Sequence, residues 1–130
     1  QAWNDARGRP LEQWWDGMDG GESFRDFHFR VTDAIDAVLR LRGVRRLDER
    51  HLWHDDQSKG RIVIFGHGGT NAVVMGHLLD LDPTPWEWER FVSHHGATMR
   101  LRTTPLAGKH VMSLWEANGT SHLSQEYLTR

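Results

Sequence analysis

Residues 60–81, GRIVIFGHGGTNAVVMGHLLDL, hold the arrangement in this chain best suited to chemistry. A short β-branched and aromatic run ends in Gly66-His67-Gly68-Gly69-Thr70, and a helical pattern begins at once. The start of a helix carries N–H groups without intrahelical partners, together with the positive end of the helix dipole. Gly68 and Gly69 leave those donors uncovered, so the turn is suited to an anion. A histidine held at the same place adds a further donor, or a positive charge, aimed at that anion. Two readings are open for His67: a ligand-binding or catalytic donor, and a turn residue whose ring caps the helix.

Other residue clusters compete for attention. Of the nine histidines, His51 and His54 are three apart beside Asp55 and Asp56, and His94 and His95 are adjacent. A zinc site built on such a pair needs a third ligand and a second shell of hydrogen bonds. Neither is visible in the spacing, so no metal and no cofactor is expected. His94-His95-Gly96 precedes a strand pattern and reads as a solvated loop or a pocket rim. Seven tryptophans are many for 130 residues. Residues two apart do not share a helix face, so at least one of Trp86 and Trp88 should meet solvent, a ligand or a partner. Asn118-Gly119-Thr120 is a glycosylation sequon, which carries no weight without a secretory signal.

The elements that position these residues follow from periodicity. Phe24, Phe27, Val31, Ala34, Ile35, Val38 and Leu41 recur at three- and four-residue spacing, which predicts a helix over 23–42 with one apolar face. Ser23 with Asp26 resembles a capping box at its start, and Gly43 is a stop signal. Residues 9–18 predict a short helix with Pro10 in its first turn. Residues 44–60 are charged and read as a surface excursion with at most one helical turn. Residues 61–66 predict a strand covered on both faces. The next helix carries Val73, Val74, Leu78 and Leu81, and Pro83 and Pro85 end it before a short helix over 84–92. TMRLRTT and KHVMSLWEA alternate as two strands joined through PLAG as a hairpin. The order indicates an α/β fold with a mixed, mostly parallel sheet.

Composition sets the frame. The chain has 130 residues, 38% hydrophobic and 26% charged, as expected of one globular domain over 1–130. A net charge of -2 supplies no general attraction to nucleic acid or to an anionic membrane, and neither is expected as a partner. There is no cysteine, which excludes disulfides and thiolate metal sites. The absence of a signal peptide and of a bilayer-spanning apolar run favours a cytoplasmic protein.

RIVIFGHGGTNAVVMGHLLDL resembles the second catalytic-histidine motif of the histidine phosphatase superfamily, the phosphoglycerate-mutase-like phosphatases. GGESFRDFHFRV, residues 20–31, is similar to that family's Gly-Glu-Ser helix start, and NGTSHL, residues 118–123, to its closing Asn-x-x-x-His-Leu stretch. The resemblance covers most of the chain in order. It implies a three-layer α/β sandwich and phosphoryl transfer through a phosphohistidine. By position, His67 matches the second active-site histidine, which stabilises the transferred group. Gly68 supplies a neighbouring phosphate-binding amide, and Glu22 matches the Gly-Glu-Ser glutamate near the pocket. Glu22 equally suits a simpler role as a negative charge at a helix N-terminus.

The family's nucleophile lies in an Arg-His-Gly stretch, which these residues lack; Arg50-His51 is followed by Leu52. The chain therefore reads as the C-terminal portion of such a domain, carrying half of the site and expected to be inactive alone. Two function classes remain: a phosphatase or mutase acting on phosphorylated small molecules, and a non-catalytic module binding a phosphorylated ligand or a protein partner. Modest insertions between the matching blocks favour a general phosphatase over a dedicated mutase. The strand at 61–66 should lie beside a strand absent from this sequence, so self-association or pairing through an exposed sheet edge is expected.

Overall fold

Helix α2, Phe24–Arg40, is the longest element, and its start is written in the sequence. Ser23 Oγ accepts a hydrogen bond from the Asp26 N–H (3.0 Å) and donates one to the Asp26 carboxylate (2.7 Å). These contacts occupy one of the free donors of the first turn. Gly43, with φ of 75°, lets the chain reverse just beyond the helix. The computed structural model describes residues 2–49, 51–56 and 60–129, so the Arg50 of the Arg50-His51-Leu52 comparison lies outside the described residues. Phe24, Val31 and Ile35 of α2 are buried, as periodicity demands. The expected face is trimmed at its end: Ala34 is exposed, and Val38 and Leu41 are 38% and 85% exposed. α2 packs against α3, Gly68–Leu78, and against β1, Val44–Arg46.

The charged stretch after α2 is a hairpin, which corrects the expected excursion. β1 pairs antiparallel with β2, Trp53–Asp55, setting Val44 opposite Asp55 and Arg46 opposite Trp53. Its few apolar residues decide the matter. Trp53 is 1% exposed and joins Ile35, Val44 and Leu78 in the core, with Leu39, Val74, Leu101 and Met112 packed around them. Burying an indole of this size outweighs the surrounding charges, because those charges stay at the surface or find partners.

β3, Thr98–Leu106, and β4, Lys109–Gly119, form the expected hairpin. Ala107 and Gly108 make its two-residue turn with φ of 50° and 73°, the double positive φ of a type I′ turn. The sheet order is β1-β2-β4-β3 and every pairing is antiparallel, so the expected mostly parallel sheet is not found. A parallel neighbour requires a crossover strand. The candidate was the run at 61–66, and the structure leaves it unpaired among the described residues. Val63, Ile64 and Phe65 are 66%, 51% and 94% exposed there, against the expectation of a strand covered on both faces. An apolar run reports a preference for burial, whereas a strand also needs a neighbour for its N–H and C=O groups.

Two smaller corrections concern the short helices. Residues 9–18 give only a 3-10 turn at Leu11–Gln13, after a helix α1 at Ala2–Arg7. Arg9 donates to the Gly17 carbonyl (2.6 Å) and to Asp19 (2.7 Å), and Trp14 Nε1 donates to the Arg9 carbonyl (2.9 Å), which folds the segment into a loop. The short helix expected over 84–92 is α4, Glu87–Arg90, and Trp86 stands outside it at the N-cap. Trp86 and Trp88 therefore escape the same-face restriction. Both rings meet Phe24, at centroid distances of 4.8 and 5.6 Å, and each other at 5.3 Å. No helix among the described residues is long and apolar enough to cross a membrane.

Between α3 and α4 lies a buried acid. Glu87 is 1% exposed; its Oε1 accepts from the Thr84 N–H (3.2 Å) and from Arg90 (3.3 Å), while Oε2 has no partner among the described residues. Burial pushes this carboxyl above its usual range, against the opposing pull of the Thr84 N–H and Arg90.

Two outcomes follow from this packing. Val31→Ala and Ile35→Ala should each lose about 2–4 kcal/mol in urea unfolding, and Val38→Ala much less. A loss below about 0.5 kcal/mol at both buried positions would make α2 peripheral. Because the folded pKa of Glu87 is raised, its contribution is fully present below the unfolded carboxyl pKa and is lost as pH rises through the folded value. Glu87→Gln should therefore gain stability relative to the parent as pH rises above the ordinary carboxyl value of 4.5, read as a widening difference in melting temperature. Identical pH dependence in the two proteins would refute the cost assigned to this charge.

Candidate active site

The segment 61–66 delivers the chain to His67, which occupies the N-cap of α3 with extended backbone, φ -92° and ψ 164°. The first intrahelical bond of α3 runs from the Asn71 N–H to the His67 carbonyl (2.9 Å). The N–H groups of Gly68, Gly69 and Thr70 therefore precede the hydrogen-bonded ladder and point out of the helix end. Asn71 also reaches back, its Nδ2 donating to the Gly66 carbonyl (3.3 Å), and this braces the turn from both sides. His67 is exposed, and its side chain makes no capping bond to the helix. The ring is thus not spent as a cap, the simpler of the two roles its position allows.

Aromatic side chains from two helices form the floor of the turn. A Cβ at Gly69 would stand 3.4 Å from the Trp88 ring of α4 and 3.7 Å from Phe27 Cζ of α2. Gly68 is exposed, and Ser93 Oγ is the neighbour facing it, 3.9 Å from where its Cβ would be. An exposed histidine, an uncovered glycine amide, a hydroxyl and an apolar floor thus meet at one helix end. Such a set can donate hydrogen bonds to the oxygens of a small anion while the floor limits water on one side.

Glu22 lies just before α2, and its carboxylate does not serve the helix N-terminus, a task that Ser23 performs. It receives two hydrogen bonds from Arg30, from Nε (2.8 Å) and Nη2 (2.7 Å). Hydrogen bonding by Arg30 holds the Glu22 carboxyl below its usual range, and Glu22 in turn raises Arg30. The Arg30 guanidinium stands 5.5 Å from the centre of the Phe27 ring, the same ring that floors Gly69. Glu22 and His67 are thus related through Arg30 and Phe27, and no hydrogen bond joins them directly among the described residues. His67 and Gly68 are brought together; Glu22 is set to one side.

Both histidines of the 51/54 pair are engaged by carboxylates. His51 Nδ1 pairs with Asp80 (2.6 Å), and His54 with Asp56 (2.5 Å). Among the described residues no three His, Asp or Glu side chains converge to hold a metal. The loop 93–96, which begins at Ser93, is tied to the C-terminal stretch. The His94 N–H donates to Asn118 Oδ1 (2.8 Å), His122 Nε2 donates to the Gly96 carbonyl (3.0 Å), and Leu123 packs on Gly96. The His95 N–H donates to the Thr129 carbonyl (2.8 Å). Asn118, His122 and Leu123 therefore act by fixing the loop that presents Ser93.

Sequence reasoning passed over Asn71, Arg30 and Ser93, whereas it marks Trp88 as a residue that could meet a ligand and Phe27 as part of the apolar face of α2. Asn71 had a readable signal, since it lies four residues after His67 in the first helical turn. Ser93 had none, because its place depends on the clamp between two distant segments.

The sequence matches the family model of the histidine phosphatase superfamily (branch 1) over residues 1–117. No curated protein and no solved structure matches it. With the motif around His67 lying inside a match that takes in most of the 130 residues, the chain belongs to the histidine phosphatase superfamily, whose members carry out phosphoryl transfer.

Proposed function

We propose that this chain supplies the second-histidine half of a phosphoryl-transfer site that acts on phosphate monoesters through a phosphohistidine, as a phosphatase or mutase. The observation that carries the reading is the free His67 ring beside the uncovered Gly68 N–H at the start of α3. Donors fixed before the reaction stabilise charge as it develops on the non-bridging oxygens, without reorganising at that moment. In this reading a nucleophilic imidazole attacks phosphorus and the ester oxygen leaves as an alcohol once protonated. Water then takes the phosphoryl group to inorganic phosphate, or a second alcohol takes it to a new ester. His67 and the Gly68 N–H hold the group through both steps, with the Ser93 hydroxyl beside Gly68.

The 130 residues contain no Arg-His-Gly, so we assign the nucleophile to a segment or chain beyond this sequence. The uncovered apolar side chains of Val63, Ile64 and Phe65 support a seat for that strand directly before the site, and we expect its pairing to complete a three-layer sandwich. The substrate class is a phosphorylated small molecule. Neither nucleic acid nor membrane fits the net charge of -2.

Tungstate or vanadate should bind at residues 66–70, and His67→Ala should weaken that binding and lower turnover of a generic phosphate ester ~10²-fold or more in protein supplied with the Arg-His-Gly segment. The 130 residues alone should bind the anion without turnover. Turnover by these residues alone, abolished in His67→Ala, would make His67 the attacking group and overturn the half-site reading. Binding with no turnover even after the segment is supplied would select a non-catalytic phosphate-binding module.

A further inference from the structure

The other end of α3 carries a second concentration of cations. Asp36 and Arg40 of α2, Val44, Arg45 and Arg46 of β1, and Trp53 of β2 line a cavity of about 170 Å³. His77, in the last turn of α3, donates to Asp36 (2.8 Å) and accepts at its carbonyl from Arg46 (2.6 Å). The cavity is therefore about 16 Å, the length of an eleven-residue helix, from the His67 turn.

The three arginines are not equivalent. Arg46 is committed: it pairs with Asp80 (2.7 Å) and lies 4.5 Å over the Trp53 ring, so it holds β1 to α3. Arg40 and Arg45 are exposed and have no ion pair among the described residues. Arg40 at a helix C-terminus is explained by the helix dipole alone. That explanation does not reach Arg45, which comes from a different element and lines the same concavity. Arg40 and Arg45 both line this one cavity, and two arginines carry ten N–H donors between them, in the fork geometry that matches phosphate oxygens. Asp36 on the wall opposes an anion, but its carboxylate is engaged by His77, and Asp80 is paired with Arg46.

We propose that the cavity between the end of α2 and β1 binds a compact phosphorylated small molecule through Arg40 and Arg45, at a site separate from the His67 turn. Arg46 and Trp53 form its rigid back, and the cavity has room for a phosphate group with a short attached body. The assignment does not depend on the chemistry proposed for His67.

The test is a titration of the ¹⁵N-labelled 130-residue protein with methylenediphosphonate, which a phosphatase cannot hydrolyse. Saturable shifts are expected at the amides of residues 40–46. Arg40→Ala/Arg45→Ala, with both positions exposed, should weaken that binding ~10-fold or more while any shifts at 66–70 persist. His67→Ala should leave the 40–46 response unchanged. The single Arg45→Gln variant, which keeps the strand residue polar, should give an intermediate loss and guards against a folding defect in the double variant. Malonate at equal concentration should bind more weakly. No saturable response at 40–46, an unchanged response in the double variant, a response at 40–46 that vanishes in His67→Ala, or equal binding of malonate would each overturn the proposal.

Discussion

Side chains from α2 and α4 approach α3 so closely that a Cβ at Gly69 would lie 3.4 Å from the Trp88 ring, and one at Gly76 would lie 3.0 Å from Glu87 Oε1. Much of the arrangement of the helices depends on this approach. At Gly69 it brings the aromatic floor under the phosphate-binding turn, and at Gly76 it admits the Glu87 carboxylate. Extra atoms in contacts this tight cost about 1–3 kcal/mol. The two glycines sit seven residues apart, two turns of helix, and so line up on the face of α3 that meets α4.

At the C-terminal end of the same helix a polar clasp takes over. Arg46 donates to the His77 carbonyl and to Asp80 while stacking on Trp53, and Asp80 also receives the His51 N–H (2.8 Å). One guanidinium thus serves an unpaired carbonyl of the helix end, a carboxylate and an aromatic face. It is more shielded than the pairs Glu22–Arg30 and Arg7–Glu89, whose contribution to stability is small, and this makes its bonds stronger than theirs. α3 is therefore anchored at both ends by different means, glycine-permitted packing at the site and charged hydrogen bonds at the far end. His67 stands at the N-cap of this doubly anchored helix, and its ring makes no capping bond.

The C-terminal hairpin contributes in a third way. β3 and β4 extend the sheet from the core outward, and the residues after β4 return to hold the 93–96 loop. Asn118, at φ 54°, turns the chain out of β4 and at the same time accepts the His94 N–H. Asparagine suits this position because it tolerates left-handed backbone and offers an amide oxygen. The loop facing Gly68 is thus set by residues more than twenty positions away in sequence.

What the sequence determined by itself is local or periodic. The capping pair Ser23–Asp26, the apolar spacing of α2, the glycine-bounded start of α3, the two-residue hairpin turn and the family motif around His67 all rest on residues within a few positions of one another. Tertiary structure decided whatever needs a distant partner. The charged stretch 44–55 became a hairpin because Trp53 found a core, and the sheet became antiparallel because its strands pair across hairpins and on β2–β4. Glu22 turned toward Arg30, and Ser93 came to face Gly68. Residues 61–66 show the division most clearly. Their composition is that of a buried strand, yet Phe65 is 94% exposed, because a strand exists only where another backbone offers it hydrogen bonds.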